Sequence, residues 1–263
     1  MSLIPIFDSL IRPTKCHDLL ALGEELIQIK ENLLAESFMG GFVIKMIPAK
    51  DLDYEKQFAK LCKNVDLTPV TLIDPNQSLV ELGKLLKGLA KEGFKAIKIH
   101  PRLSNVNWGH HGLENILDIA NDLNLRVILC TYSHNKAPHI PTEDPLFKLG
   151  ELLNKVPRAK VILLHGGDVR VLEYAELVRA NKNLLLDLSF TILKYEKSSL
   201  DQDLGYLFSS FDRRICIGSD FPDFKFSELR RRFEDLSKTI SDEKKDGIGS
   251  KNILGFLGND SRK

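Results

Sequence analysis

Short apolar runs alternate with amphipathic helical stripes along the whole chain, and this alternation restricts the fold more than any other feature. Each run is too short for a buried helix and suits a strand that is covered on both faces, as in a parallel sheet. Right-handed crossovers between such strands lead to a closed barrel or to an open doubly wound sheet. The predicted strands are Leu3–Phe7, Gly41–Ile47, Pro69–Ile73, Phe94–His100, Leu125–Thr131, Val161–Leu164, Asn183–Leu188 and Ile215–Ser219.

Eight strand–helix units favour the barrel, and so do the polar residues at the strand ends. No Gly-x-Gly-x-x-Gly follows the first strand, which counts against a dinucleotide-binding fold. The sequence therefore predicts an α/β protein, a single (βα)8 TIM barrel formed by one domain over residues 1–263. Ile192–Ser210 is predicted to contain a helix that is interrupted near Ser198–Ser199, and Ser241–Ser250 is predicted to be a solvated loop.

Composition and charge exclude several classes of protein. The formal net charge of the 263 residues is +1 and the basic residues are interleaved with acidic ones, so we expect no nucleic-acid partner. No apolar run approaches membrane-spanning length, and no signal peptide is recognisable at the start. The four cysteines are far apart, which predicts reduced thiols in a cytoplasmic protein. The expected partner is therefore a small molecule.

Two polar residues follow buried strands directly. His165 ends the apolar run Val161–Leu164, and Asp220 follows Ile215–Ser219. Because α/β barrels carry their chemistry at the carboxyl ends of the strands, the sequence predicts that both side chains project into one mouth of the barrel. We expect them, together with Lys98 of the fourth strand, to be the catalytic residues.

Several basic side chains are predicted at the same end of the barrel. Lys98 and His100 are two positions apart on the fourth strand, so their side chains point to the same side. Arg12 ends the first strand and Arg102 follows the fourth. Arg12, His100 and Arg102 are therefore predicted to bind a substrate carboxylate or phosphate, while His165 serves as acid or base.

The alternative interpretation of the same cations is structural. A buried lysine needs a counter-charge, which Asp8, Asp187 or Asp220 would give to Lys98. In this interpretation the guanidinium of Arg12 neutralises Asp220 and the pair is an internal ion pair without a catalytic role. Both interpretations stay open from the sequence. A further set of residues lies in loops predicted at the same end, namely Trp108, His110, His111, His134 and His139.

The motifs at the strand ends resemble those of the amidohydrolase superfamily, and most closely its amidohydrolase 2 branch of metal-dependent hydrolases. Val161–Gly167 (VILLHGG) and Ile217–Pro222 (IGSDFP) are similar to the sixth and eighth strands of that branch. Further similar segments are Ala96–Pro101, Asn183–Ser189, Asn252–Gly255 and Gly258–Asp260. The resemblance implies a TIM barrel, and it implies that Asp220 ligates a metal and takes a proton from the attacking water.

The chain departs from this family where the metal ligands are expected. The first strand of the family ends in His-x-His, and the matching residues here are Leu10 and Arg12, neither of which ligates a metal. The fifth-strand histidine is matched by Cys130. If one divalent cation is bound, zinc by preference, the resemblance leaves Cys130, His165 and Asp220 as its ligands. The other outcome is that no metal is bound.

The resemblance implies hydrolysis of a small, anionic substrate with an altered or absent metal centre. The branch also contains lactonases and non-oxidative decarboxylases, so a metal-independent acid–base enzyme of either kind is an alternative. A second alternative is a non-catalytic barrel that binds a small molecule or a partner. Chelator resistance of an activity would separate the metal-independent enzyme from a metal-dependent hydrolase, and the absence of turnover would indicate the binding protein.

Overall fold

The strands of the protein are all parallel and follow one another around one sheet in chain order. The computed structural model describes residues 3–132 and 144–258. The strands are β1 Ile6–Ile11, β2 Phe38–Pro48, β3 Thr68–Ile73, β4 Ala96–Ile99, β5 Arg126–Cys130, β6 Val161–Leu164, β7 Leu184–Asp187 and β8 Ile215–Cys216.

The sheet closes on itself between its first strand and the segment after its last. The amide of Ser9 donates to the carbonyl of Ile217 across 3.1 Å, and the amide of Arg12 donates to the carbonyl of Phe221 across 2.9 Å. Ile11 and Phe221 form a parallel bridge at the same place. These contacts confirm the predicted (βα)8 barrel.

Helices cover the outside of the barrel because each presents one apolar stripe to the strands. In the first helix, Leu22, Leu26, Ile29 and Leu33 recur at helical spacing and are all buried. The helices are α1 Leu19–Ala35, α2 Leu52–Asn64, α3 Leu79–Lys91, α4 His111–Asp122, α5 Pro145–Lys155, α6 Val171–Ala180, α7 Thr191–Lys194, α8 Leu200–Ser210, α9 Phe226–Leu236, α10 Asp242–Asp246 and α11 Asn252–Leu257. The predicted interruption near Ser198–Ser199 is confirmed, since it falls between α7 and α8.

Side chains alternate along each strand between two apolar cores. On β4, Ile97 and Ile99 belong to the core under the helices, whereas Ala96 belongs to the core inside the barrel. Ile253 and Leu257 of α11 are part of the inner core, and Arg126 Nε at the start of β5 donates to the carbonyl of Phe256 across 2.8 Å. Helix α11 therefore covers the amino-terminal end of the barrel, which is the end opposite to the predicted site.

Two local predictions are wrong. The first strand is Ile6–Ile11 and not Leu3–Phe7. It continues past Phe7 because the polar residues Asp8 and Ser9 have buried hydrogen-bond partners outside this strand. Ser241–Ser250 is not a solvated loop. It forms α10 and a π-helical turn, and Ile248 in this turn is completely buried.

The four cysteines are buried and form no disulfide, as predicted for reduced thiols. Within residues 3–132 and 144–258, every helix is too short or too polar to cross a membrane.

Candidate active site

A cavity of about 170 Å³ opens at the carboxyl-terminal ends of the strands and contains the predicted site. All six residues predicted for catalysis or substrate binding line this cavity, although they come from strands far apart in the sequence. The lining residues are Arg12, Met46, Lys98, His100, Arg102, Tyr132, His165, Phe190, Asp220 and Asp223. The structure thus brings the predicted residues together, while their roles stay predictions.

Asp220 forms an ion pair with Arg12. Nε of Arg12 lies 2.6 Å from Oδ1 of Asp220, and Nη2 of Arg12 lies 2.9 Å from Oδ2 of Asp223. Oδ2 of Asp220 accepts no hydrogen bond from the described residues. Burial raises the pKa of Asp220 to about 6, against the opposing effect of Arg12 and Lys98. A carboxylate with one free oxygen and such a pKa is able to act as a base near neutral pH.

The imidazole of His165 is oriented by the backbone. Its Nδ1 lies 3.1 Å from the carbonyl oxygen of Ser189, so Nδ1 carries the proton and Nε2 is left with a lone pair. Burial, and after it the charge of Lys98, lowers the pKa of His165 to about 3. The ring is therefore neutral at physiological pH and can accept a hydrogen bond from a substrate or a water molecule.

His100 is held in the opposite tautomer. Its Nδ1 accepts a hydrogen bond from the backbone amide of Leu103 across 3.3 Å, so the proton resides on Nε2. Burial lowers the pKa of His100 to about 2, with the nearby charge of Lys98 as a further cause. His165 and His100 thus provide one neutral acceptor and one neutral donor at the same cavity.

The turn after β6 places His165 in the mouth. His165, Gly166, Gly167 and Asp168 all have positive φ angles, between 57° and 74°. The hydroxyl of Thr131 donates to the carbonyl of Leu164 across 2.6 Å and accepts from the amide of Gly167 across 2.8 Å. Side chains rarely adopt such backbone angles unless the surroundings enforce them, which is common at functional sites.

Lys98 is buried in the cavity wall without a carboxylate partner. It is 1% exposed, and its Nζ contacts Sδ of Met46 at 3.5 Å. In the part of the chain that the structure describes, no Asp or Glu oxygen lies within ion-pair distance of Nζ. Asp8, Asp187 and Asp220 thus form no direct ion pair with this lysine, although the charges of Asp220 and Asp187 oppose the lowering of its pKa. Burial lowers the pKa of Lys98.

A buried polar layer beneath the cavity explains why those carboxylates are not available. Asp187 accepts hydrogen bonds from the hydroxyls of Ser9 and Ser189 and from the amides of Ser189 (3.0 Å) and His165 (3.3 Å). Oδ1 of Asp8 accepts from the amides of Leu10 and Ser219, at 2.9 and 3.0 Å. This layer connects the ends of β1, β7 and β8 under the site.

Sequence reasoning missed one wall of the cavity. Phe190 packs edge-on against the rings of His165 and Tyr132, and Nζ of Lys194 lies 3.1 Å from the hydroxyl of Tyr132. The only signal in the sequence was the position of Phe190 just after the seventh strand, which does not distinguish a cavity residue from a core residue.

The loop residues named from the sequence lie elsewhere or outside the described residues. Trp108 and His110 line a separate cleft beside Glu114. His110 is the N-cap of α4, where its Nδ1 accepts from the amide of Gly112 across 3.1 Å, and His111 begins the same helix. His134 and His139 lie outside the described residues. Trp108 and His110 follow β4 at the predicted end of the barrel, but they line the cleft beside Glu114 and not the central cavity.

A comparison with family models identifies the family of this chain. A family model described as amidohydrolase matches residues 67–258, which is well over half of the chain. The chain belongs to the amidohydrolase family. The resemblance drawn from His165–Gly167 and Ile217–Pro222 is thus confirmed. A comparison with curated proteins finds no match.

Solved structures share the fold of this chain at low sequence identity. An uncharacterised TIM-barrel protein from Bordetella bronchiseptica has a TM-score of 0.78 and 18% identity, covering 97% of this chain and 99% of its own. An amidohydrolase II has a TM-score of 0.61 and 14% identity, covering 96% and 99%. A 5-carboxyvanillate decarboxylase from Novosphingobium aromaticivorans, with bound manganese and 3-methoxy-4-hydroxy-5-nitrobenzoic acid, has a TM-score of 0.62 and 11% identity, covering 97% of both chains. At these identities the comparisons show the fold.

The described residues of this chain do not fit the metal-ligand set that the family resemblance implies. Over residues 3–132 and 144–258, no group of three or more His, Cys, Asp or Glu side chains is arranged to hold a metal ion, and Cys130, His165 and Asp220 form no such group. Leu10 is completely buried in the inner core, and Arg12 binds Asp220. Burial raises the pKa of the Cys130 thiol, which opposes the thiolate that a metal needs.

Proposed function

We propose that this protein is an amidohydrolase-family enzyme that hydrolyses a small organic anion without the metal ligands that the family resemblance implies for the first and fifth strands, using one domain over residues 1–263. The observation that carries the proposal is the single cavity shared by Asp220, His165, His100, Lys98 and Arg102. A cavity of about 170 Å³ is below the ~300–1,000 Å³ of typical ligand pockets, so the substrate is small.

Charge at the cavity supports an anionic substrate. Arg102 is exposed at the mouth and its guanidinium lies 5.1 Å from the centre of the Tyr132 ring. Lys98 is deeper and has no carboxylate partner among the described residues. In contrast, Arg12 is already paired with Asp220 and Asp223. Arg102 therefore binds the substrate carboxylate at the entrance, since guanidinium groups form strong paired hydrogen bonds with carboxylates.

The remaining groups divide the proton transfers of a hydrolysis between them. Oδ2 of Asp220 takes a proton from a water molecule, while Arg12 holds Oδ1 and keeps the carboxylate ionised. Nε2–H of His100 donates to the oxygen that becomes negative in the transition state. Nε2 of His165 accepts a hydrogen bond that orients the water. No step passes through a metal, because Arg12 and Leu10 replace the ligands that the family resemblance requires.

The decarboxylase with bound manganese shares its barrel fold with this chain, and its support for a metal-dependent alternative extends no further than this shared fold. A metal-independent lactonase or decarboxylase uses the same residues as the proposed hydrolase and differs in the bond that breaks. The ion pair between Arg12 and Asp220 favours one other candidate function, a barrel that binds a small anion without turnover, since the pair engages the family's catalytic carboxylate.

A thermal-shift screen followed by a turnover assay tests the proposal. Small carboxylate-bearing lactones, esters and amides are added to the protein in the presence of a chelator, and acid release is followed for those that raise Tm. We expect turnover that resists the chelator and falls by about 10²-fold or more in Asp220→Asn. The surface variant Asp235→Asn serves as the control and keeps full activity.

The outcomes separate the candidate functions. Stabilisation without turnover of any compound would indicate the binding protein, and turnover that the chelator abolishes would indicate a metal-dependent enzyme. If no anion raises Tm, the proposal of an anionic substrate is wrong.

A further inference from the structure

Two lysines are buried among the described residues, and their surroundings differ. Nζ of Lys45 lies 2.8 Å from Oε1 of Glu55 and 2.9 Å from the carbonyl oxygen of Ile47, as expected for a buried cation. Nζ of Lys98 has the thioether sulfur of Met46 at 3.5 Å as its hydrogen-bond partner. A thioether is a weak acceptor and carries no charge, so it does not compensate a buried ammonium group.

The neighbours of Lys98 act on its pKa in both directions. Arg12 and Arg102 line the same cavity, and Arg12 opposes the protonation of Lys98. Burial is the main cause that lowers the pKa of Lys98, while Cys130 and Asp220 partly oppose this effect. A lysine that is desolvated and placed next to another cation is a stronger nucleophile at neutral pH, because more of it is the free amine.

The cavity also supplies the other groups that amine addition to a carbonyl needs. Nε2–H of His100 is a neutral donor for the carbonyl oxygen, and His100 is on the same strand face as Lys98, two residues away. Oδ2 of Asp220 accepts no hydrogen bond from the described residues, so this carboxyl group can both take up and return a proton. Arg102 at the mouth is placed to bind a carboxylate next to the carbonyl.

We infer that Lys98 is a nucleophile that forms an imine with a small 2-oxo acid in this cavity. The inference goes beyond the proposed function, which assigns Lys98 no chemical step. The amine adds to the carbonyl carbon, so a C–N bond forms and the π bond of the carbonyl breaks, and the oxygen takes up a proton from solvent to become a hydroxyl. Asp220 accepts a proton from the nitrogen and returns it to the hydroxyl. The C–O bond then breaks, water leaves, and a protonated imine of Lys98 remains. No oxidant or reductant takes part.

Reductive trapping tests the inference on the intact protein. The protein is incubated with pyruvate or glyoxylate as the probe, sodium cyanoborohydride is added, and the adduct is located by peptide mass spectrometry. We expect one adduct per chain, on Lys98, with the mass of the acid less one water plus two hydrogens. Lys45 is the internal control in the same digest, and we expect it to stay unmodified because its Nζ is buried and bound by Glu55 and the carbonyl oxygen of Ile47.

A ketone without a carboxylate and a variant of Lys98 complete the test. Acetone, which lacks the carboxylate, is expected to label Lys98 about tenfold or more slowly than pyruvate. The reason is that acetone cannot form the charge-assisted hydrogen bond of a carboxylate with Arg102. Lys98→Gln is expected to lose the adduct, and its fold is checked by circular dichroism.

Labelling that spreads over surface lysines and leaves Lys98 unmodified overturns the inference, and so does the absence of any adduct with both acids. Because trapping requires no turnover, a negative result here leaves the proposed hydrolysis to be decided by its own assay.

Discussion

Nε of Arg12 lies 2.6 Å from Oδ1 of Asp220, so a cation of the chain itself binds the carboxylate at the end of the eighth strand. The amidohydrolase resemblance places a metal ion next to this carboxylate and a histidine at the position of Arg12. The guanidinium therefore replaces part of the positive charge that a metal would bring. Unlike a metal, the guanidinium cannot lower the pKa of a bound water to about 7. The carboxylate must therefore activate the water by taking its proton as a base.

Arg12→Gln should raise the pKa of Asp220 above its present value of about 6. Burial raises this pKa and Arg12 opposes the effect, so the substitution leaves the burial effect less compensated. A raised pKa in the folded state means that stability is greatest below the unfolded value of 3.8 and is lost as the pH rises through about 6. The variant should therefore lose more stability than the wild type between pH 6 and 8.

Carboxyl carbon NMR of labelled aspartate gives the pKa directly, and thermal melts at several pH values give the stability. The exposed residue Lys15 provides the control, since Lys15→Gln also removes one positive charge near the first strand. An unchanged pKa in Arg12→Gln would show that the observed ion pair does not control Asp220. In an assay of activity, the acidic limb of the pH profile should move upward with the same pKa.

The double variant Leu10→His/Arg12→His should bind a divalent cation. Both positions follow the inward side of β1, so two imidazoles there would join His165 and Asp220 in the mouth. Metal analysis after incubation with manganese or zinc is expected to give about one ion per chain, against much less in the wild type. Leu10→Asn/Arg12→Gln removes the same residues without adding imidazoles and is the matched control. Equal metal content in the two double variants would contradict the expectation.

The barrel could be predicted because its signal is local. Each strand is a short apolar run, each helix has its own stripe, and the polar residues His165 and Asp220 directly follow the runs. The carboxyl ends of parallel strands meet at one end of a barrel, so these two residues could be assigned to one mouth without coordinates. The family motifs at the same positions added the family assignment.

The polar layer below the mouth could not be predicted, because it depends on long-range partners. Asp8 and Ser9 made β1 look shorter than it is, since polar residues inside a strand are unfavourable unless they are hydrogen-bonded. Their partners Ser219 and Asp187 are 211 and 178 residues away in the chain. Similarly, the sequence shows that Lys98 is buried but not that Met46 is its partner.

Asp8→Asn should stabilise the protein at alkaline pH and have little effect near pH 4. Burial raises the pKa of Asp8 from 3.8 to about 7, while hydrogen bonds involving Ser219 oppose this. The folded state therefore loses stability as the pH rises through about 7, when the buried carboxyl must ionise. Asparagine keeps an acceptor for the amides of Leu10 and Ser219 and never ionises. We expect a gain of ~1–4 kcal/mol in the free energy of unfolding at pH 8.

Denaturant titration at pH 4.5 and pH 8 measures this difference. Asp187→Asn is the contrasting variant, because Asp187 accepts from the hydroxyls of Ser9 and Ser189 and from two backbone amides. Asparagine cannot accept all of these bonds, so that variant should be destabilised at both pH values. A gain for Asp8→Asn that is equal at both pH values would show that ionisation is not its cause.

Gly167→Ala should disturb both stability and the site. Gly167 has a φ of 74°, and a Cβ atom there would lie 2.0 Å from Cδ2 of Tyr174, a buried ring. Either the turn after His165 or the ring must move, so we expect a loss of at least ~2 kcal/mol in the free energy of unfolding. Gly83→Ala in α3 is the matched control, because its Cβ would meet no atom within 4 Å. That variant should gain ~0.5–1 kcal/mol from the better helix propensity of alanine. Chemical denaturation of the two variants checks both signs, and a Gly167→Ala protein as stable as the wild type would show that the turn after β6 does not require glycine.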